Sequence, residues 1–460
     1  MMSPYAKMDQ YLEENLNKSI EELKMLVSQK SISAQNLGLK ECAEMVGGML
    51  EKRGFHVTLN ATAGAPIVTA QRKGKTDRTL LFYDHYDVQP PEPLELWLSE
   101  PFQPEVREGK LFGRGVSDNK GNIVNRLYAI DSILNAVGEL PCNVKFLIEG
   151  EEEVSSENLE EFVLSHKKEL AANACIWESG GVDQNDVPTQ YLGLRGICYV
   201  ELEVETAAMD VHSGLGGTIF PNAAWRLVWA LASLKKEENE EVLIKGFYDD
   251  VIPPSDEDLL YLKALPNTAE EYHTRYGVKK FLLGMQGGMD LNFSEAHKAS
   301  CTICGLNSGY QGKGSKTILP AKASAKIDFR LIPDQKPAKI LELLRHHLDR
   351  YGFTDIKITD LGGESPSKTD AADPFVQLVV NTAKDVYGMP MQIVPMSGGS
   401  GPNFIVQEAL NIPIASLGAG YPGTGAHSPN ENIRISDYLK SAKHIVRVLD
   451  SFGKTDTRYA

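Results

Sequence analysis

Between residues 79 and 177, short apolar runs that suit strands alternate with longer stretches of helical periodicity, and each apolar run stops at a histidine or an acidic residue. The runs cover 79–83, 143–148 and 174–177, and the helical stretches between them cover 121–136 and 156–171. Strands buried on both faces read as nearly continuous apolar runs, and strand–helix alternation builds a mainly parallel sheet covered by helices. Such sheets collect ligands at the carboxyl ends of their strands. Two amphipathic helices precede the alternation. Leu12, Leu16, Ile20, Leu23 and Val27 recur at three- and four-residue spacing, and Cys42, Met45 and Met49 resume it after a Ser-rich break at 28–34.

The texture changes near Gly193. The run ICYVELEV at 197–204 alternates apolar and polar residues, as a half-exposed sheet requires. A helix at 222–234, a Pro- and acid-rich stretch at 237–275, a strand at 323–332 and a helix at 338–351 come next. GGESPSKTDAADP, starting at Gly362, reads as a return linker before a helix at 375–387, a strand at 411–417 and a last helix at 436–452. The expected fold is therefore α/β: a catalytic domain with a mainly parallel sheet and helices on both faces, in two chain segments, 1–193 and 362–460. An α+β domain at 194–361 is expected to be inserted into it.

Lys and Arg total 47 against 62 Asp and Glu, a net charge of −15, which has the wrong sign for a polyanion binder. Nucleic acid is not an expected partner. Nothing at the N-terminus joins a basic stretch to an apolar one, and no segment reaches the uninterrupted apolar length of a membrane span, so no membrane association is expected and the cytoplasm is the expected compartment. Among the six cysteines, Cys301 and Cys304 form a lone C-x-x-C pair. Without a second pair they are expected to be unpaired or buried thiols and not structural zinc ligands. Three glycosylation sequons, at Asn17, Asn60 and Asn292, read as chance matches.

His85 and Asp87 directly follow the first strand and share a face. They fit either a solvated turn or a metal-binding imidazole oriented by a carboxylate. In EGEEE, Glu149, Glu151, Glu152 and Glu153 crowd the end of a strand. Such like charges need a nearby cation, or else form an acidic helix start capped by Ser155 and Ser156. Glu178 ends the third strand, Asp118 sits on a glycine-flanked turn that leads into a helix, and His427 follows the strand at 411–417. Oxygen and imidazole donors in this mixture suit zinc or manganese in two-metal hydrolytic sites, where a carboxylate and a water are shared between the ions. Asp118, central in the order, is the candidate for sharing.

The ordered motifs YDHYDVQP, GRGVSDNKG, EGEEEVSSENL, WES, DVHSG, DFRLIP, SGGSGPNF and GAHSPNENI, across about residues 80–432, resemble the dinuclear-zinc amidohydrolases. These include carnosinase-type dipeptidases, glutamate carboxypeptidase and aminoacylase. The resemblance implies that His85 and Glu178 hold one metal, that Glu153 and His427 hold the other, and that Asp118 bridges both. It makes Glu152 the general acid/base, through the pattern E-E-x-x-S on Glu152, Glu153 and Ser156, and Asp87 the support of the metal-bound histidine. The inserted domain then resembles the family's lid and dimerisation domain, which implies a homodimer, and His212 matches a lid histidine that reaches the partner subunit's site to stabilise an oxyanion. Arg330, Ser400 and the Gly398 and Gly399 backbone match positions that hold a substrate carboxylate.

The resemblance also implies hydrolysis of an amide bond in dipeptides or small peptides with a free C-terminal carboxylate, through a metal-bridged hydroxide whose proton passes to Glu152 and then to the leaving nitrogen. Zinc is the expected metal, with manganese or cobalt as alternatives. An N-acyl amino acid deacylase is the alternative activity, because Glu178 stands where some relatives carry Asp and this position does not separate the two. Asn119 occupies a position often held by Asp, and the cis peptide that relatives carry there is expected here too. A non-catalytic small-molecule or dinucleotide-binding protein is the remaining class. GAGYPG, from Gly418 to Gly423, fits G-x-G-x-x-G, but Pro422 and a polar continuation open no helix. GKGSKT lacks the phosphate-loop frame, and no G-x-S-x-G elbow supports a serine hydrolase.

Overall fold

Helix Pro4–Ser28 begins where the Ser3 hydroxyl accepts the Ala6 N–H, with Pro4 in the first turn, where a missing N–H costs nothing. It packs on helix Lys120–Val137, as does the last helix, Ile435–Lys454. Lys120–Val137 is buried on nearly every side through Ile133 and ends at Gly138, whose φ of 84° lets its N–H close back onto the Leu134 carbonyl. The computed structural model describes residues 3–454. The chain divides into two units, one running to Leu192 and resuming over Thr369–Val394 and from Ile405, the other comprising Gly193–Lys368 and Pro395–Phe404.

The first unit holds a six-stranded sheet in the order His56–Asn60, Ile67–Arg72, Asn143–Glu149, Thr79–His85, Ala174–Trp177 and Ile414–Ser416. The three pairings nearest Ile414–Ser416 are parallel. The two at the other edge are antiparallel. The sheet is thus mainly parallel, as expected, with an antiparallel edge that sequence reasoning missed: His56–Asn60 is largely exposed and presents no apolar face to read. The centre reads clearly because Leu80, Leu81, Phe82 and Tyr83 are wholly buried.

The helix expected over 375–387 is split into Pro374–Thr382 and Lys384–Tyr387, the strand expected over 411–417 is shortened to Ile414–Ser416, and two further elements differ in kind. The helix expected over 156–171 is a short helical turn Glu152–Val154 followed by Leu159–Ser165 and Lys167–Leu170. Ser155 and Ser156 between them take positive φ values of 77° and 50°. Asp87 captures the Glu152 and Glu153 N–H groups, so the chain turns there before a helix can start. The expected return linker is partly strand: Lys357–Glu364 pairs with Gly196–Glu205, and Ser367–Lys368 pairs with Gly193–Leu194. The chain therefore leaves the second unit after Lys368.

The second unit is built on an antiparallel sheet in the order Ser300–Ser308, Lys322–Leu331, Gly196–Glu205 and Lys357–Glu364. Along Gly196–Glu205, burial alternates residue by residue. Cys198, Val200, Leu202 and Val204 pack with Leu227 and Leu234 from helix Ala223–Leu234 and with Ile340, Leu344 and Leu348 from helix Pro337–Arg350. The Pro- and acid-rich stretch contains helices Asp256–Ala264 and Ala269–Tyr276, the first opened by a reciprocal Ser255–Asp258 capping box. Among the described residues, no helix is long and apolar enough to cross a membrane.

Candidate metal centre

Parallel pairing sets His85 opposite Glu149. Thr79–His85, Asn143–Glu149 and Ala174–Trp177 therefore end on the same edge of the sheet, and the residues after them converge. His85 and Asp87 are both fully buried. His85 Nδ1 lies 3.3 Å from Asp87 Oδ1 and 3.2 Å from the Asp87 carbonyl. The same carboxylate accepts the Glu152 N–H at 3.3 Å and the Glu153 N–H at 3.1 Å. Asp87 thus orients the imidazole, leaving Nε2 as the outward nitrogen, and docks the turn that carries both glutamates.

Asp118 stands at the meeting point. Its Oδ1 is 3.0 Å from His85 Nε2 and its Oδ2 is 3.0 Å from His427 Nε2. His427 Nε2 is also 3.0 Å from Glu153 Oε2. Ligand-grade atoms of His85, Asp118 and Glu178 lie within 4.8 Å of one another, as do those of Asp118, Glu153 and His427, and those of His85, Glu152 and Glu153. The peptide between Asp118 and Asn119 is cis. All of these residues belong to the first unit.

The electrostatics call for cations. Burial first, then the Asp118 and Glu153 charges, push the Glu178 carboxyl up to about 7 against the pull of His85 and Arg126. Burial and the neighbouring Glu178, Asp118 and Glu153 hold Glu152 well above the carboxylate range. Burial also lifts Glu149 to about 8, although Tyr83 and Ser156 hydroxyls donate to it at 2.6 and 2.9 Å. Hydrogen bonds to Asp118 and Glu153 raise His427 to about 10. Burial alone would lower His85, yet its bonds to Asp118 and Asp87 carry it well above its usual value. The carboxylates around both imidazoles thus favour positive charge at the places where divalent ions would supply it. Glu153 Oε1 is buried with no hydrogen-bond partner. An unpartnered carboxylate oxygen amid carboxylates and imidazoles fits a hard or borderline divalent ion, so the residues present suit a two-metal centre.

Three supporting contacts escaped sequence reasoning. Gln89 donates to Glu153 Oε2 at 2.9 Å. Asn122 donates to the Glu178 carbonyl at 2.6 Å and accepts the Ala419 N–H at 3.3 Å. Asn122 lies in the SDNKGN stretch four residues past Asp118, on a helix that also buries Lys120, Asn125, Arg126 and Ser132, so nothing local singled it out. The glycines of GAGYPG serve this same packing: a Cβ on Gly418 would sit 2.9 Å from the Gly180 carbonyl oxygen and 3.0 Å from Asn122 Oδ1. That motif closes on the strand end carrying Glu178, with Gly418 and Gly420 needed for close approach to the Gly180 backbone.

The remaining candidates lie in the second unit. Arg330, on strand Lys322–Leu331, donates from Nη1 to Ser400 Oγ at 2.8 Å. Its Nε donates to Asp328 Oδ2 at 3.3 Å, a positioning contact not read from the sequence. Gly398 and Gly399 form the turn before Ser400, and the Gly399 carbonyl accepts the Arg195 N–H at 2.9 Å. His212 has other neighbours. Its Nδ1 accepts the Gly214 N–H at 3.0 Å, and Nε2 lies 3.5 Å from Thr317 Oγ1. With Nδ1 accepting, the ring proton resides on Nε2.

A sequence profile described as "Peptidase family M20/M25/M40" matches residues 81–451. The Beta-Ala-His dipeptidase of Mus musculus is 28% identical over 387 residues, which cover 82% of this chain and 78% of that protein. The Cys-Gly metallodipeptidase DUG1 of Saccharomyces cerevisiae is 27% identical over 446 residues, 90% of each chain. Among solved structures, an M20 family metallo-carboxypeptidase, Sso-CP2, from Sulfolobus solfataricus is similar at a TM-score of 0.90 and 36% identity, covering 95% of this chain and 99% of that one. Human carnosine dipeptidase 1 is similar at a TM-score of 0.81 and 25% identity, covering 98% and 100%.

Proposed function

Because the chain belongs to peptidase family M20/M25/M40, we propose that it is a metallopeptidase that hydrolyses the peptide bond of dipeptides or small peptides carrying a free C-terminal carboxylate. The observation that carries this reading is Asp118, whose two oxygens each lie 3.0 Å from a different histidine. His85 and Glu178 would hold one divalent ion, Glu153 and His427 the other, and Asp118 would serve both, with zinc as the proposed metal. Bound there, the ions would supply Lewis acidity, acidifying a water and polarising the scissile carbonyl.

The chain's own groups do the rest. Glu152 takes the proton of the attacking water on its carboxylate and returns it to the leaving nitrogen, which departs poorly as an anion. Asp87 keeps His85 oriented through Nδ1 and holds the turn bearing Glu152. His212, protonated on Nε2, is suited to donate to the developing oxyanion. The Arg330 guanidinium, steadied by Asp328, together with Ser400 and the Gly398–Gly399 backbone, is suited to a substrate carboxylate. We propose further that the second unit mediates a homodimer and that His212 acts in the partner subunit's site. Support comes from the edge strand Ser300–Ser308, where Ile303 and Leu306 are exposed, and from Trp225 and Trp229, exposed on one helix. The six unpaired cysteines suit a reducing compartment, the cytoplasm.

The test joins metal analysis to a substrate panel. Remetallated protein is expected to hold two equivalents of zinc, to lose turnover with a chelator, and to release amino acids from dipeptides faster than from N-acetyl or N-succinyl amino acids. Fewer than one equivalent of metal, or turnover that survives chelation, would refute the two-ion reading. Preference for the N-acyl compounds would make it a deacylase.

A further inference from the structure

The turn before Asp118 aims its backbone amides at one buried carboxylate. Glu431 is 0% exposed. Its Oε2 accepts from Arg114 Nη1 at 2.8 Å and from the Gly115 N–H at 2.9 Å. Its Oε1 accepts from the Ser117 N–H at 2.9 Å and from the Asp118 N–H at 3.0 Å. The Glu431 carbonyl also accepts the Gly113 N–H at 3.0 Å. Because Glu431 lies four residues beyond His427, one side chain ties the segment that delivers His427 to the turn that delivers Asp118.

We infer that Glu431 is the positioning residue of this centre: its carboxylate sets the 114–118 turn before any ion arrives, so that Asp118 presents one oxygen toward His85 and the other toward His427. Four donors meet two oxygens, and only a carboxylate accepts at both ends. A glutamine would place an NH₂ group where backbone N–H groups already point, turning half of the clamp into donor against donor. Groups that fix a metal ligand from behind typically change affinity by about 10- to 100-fold when removed, because the ligand must then be ordered at the moment of binding. The flanking asparagines hold the same segment without touching the Asp118 turn. Asn430 bonds to the Leu98 N–H and the Leu96 carbonyl, and Asn432 bonds to the Gly423 and Thr424 carbonyls.

This inference rests on the reading that Asp118 serves both ions, and the test separates the two. Metal-stripped full-length protein is titrated with zinc against a competing chelator, as wild type, Glu431→Gln, Asn432→Ala and Asp118→Asn. Glu431→Gln is expected to weaken both equivalents by about 10- to 100-fold, with Asn432→Ala leaving affinity unchanged. Wild-type affinity in Glu431→Gln, or an equal loss in Asn432→Ala, would overturn the role of Glu431. Unchanged affinity in Asp118→Asn would instead sink the two-ion reading. Should Glu431→Gln fail to fold, the wild type decides. In metal-free protein, hydrogen exchange over residues 113–118 is expected to be slow; exchange at the rate of free amides, with protection appearing only after zinc is added, would overturn the proposal.

Discussion

Glu152 and Glu153 are chain neighbours, yet their surroundings part them. Glu153 Oε2 is engaged by His427 at 3.0 Å and by Gln89 at 2.9 Å, whereas the nearest ion-pair contact of Glu152 is 4.0 Å away at His85. That separation suits one for a ligand and the other for a mobile proton. Glu152→Gln is accordingly expected to keep both metal equivalents while lowering kcat by about 10²- to 10⁴-fold, as metal analysis and steady-state kinetics would show; loss of metal would make Glu152 a ligand. Three residues also fix the sign of a pH effect. In the fold, Glu178 rises from 4.5 to about 7, Glu149 from 4.5 to about 8, and His427 from 6.5 to about 10. Each raised value means that the fold favours the protonated form, so this stabilisation is complete below the unfolded value and is lost as pH rises through the folded one. Metal-free protein should therefore lose stability from about pH 5 upward, while zinc, which competes with the protons on Glu178 and His427, should bind more tightly. The zinc-induced gain in Tm is expected to widen between about pH 6 and pH 8; a gain that narrows over this range would contradict the assignment.

Among the elements, the strand ends were the most legible and the connections the least. Thr79–His85 announces itself through Leu80, Leu81, Phe82 and Tyr83, the nearly continuous apolar run of a strand buried on both faces, with the polar Asp84 and His85 at its end. Ser300–Ser308 was invisible: it is an edge strand, buried at Cys301 and mostly exposed beyond it, so no alternation marks it. The break between Glu152–Val154 and Leu159–Ser165 depends on Asp87, which is distant in the chain, and local propensity could not report it. The glycine pair after Glu178 gives a prediction at this scale. Gly181 has a φ of 153°, and a Cβ there would meet the Gly420 carbonyl oxygen at 1.9 Å, so Gly181→Ala must push apart the two backbones that pack beside Glu178. It is expected to cost more than about 1 kcal/mol in urea unfolding and to weaken zinc binding at the site that Glu178 would share. Unaltered stability would show that the loop after Leu417 yields freely.

For the molecule as a whole, metal should act as a structural term as well as a reagent. Zinc at about 1,000 times its dissociation constant would add about 4 kcal/mol to the folded state, so chelation is expected to lower Tm at neutral pH, and an unchanged Tm would argue against a resident ion. The proposed dimer gives a second measurement: light scattering should return twice the 50.6 kDa chain mass, and mixing inactive His212→Ala with inactive Glu152→Gln subunits should restore activity if the histidine works across subunits. Mixtures as inactive as their parents would confine His212 to its own subunit or remove it from the reaction. The amino-acid sequence by itself determined which side-chain types stand at the strand ends, because apolar strands and the polar residues that must come after them are written locally. The pairings that the motif resemblance implied acquired distances only in the tertiary structure, which sets Arg330 against Ser400 seventy residues away and alone decided that Glu431 braces Asp118. Sheet register and backbone-to-carboxylate bonds between distant segments set those pairings, and such distances have no local trace in the chain.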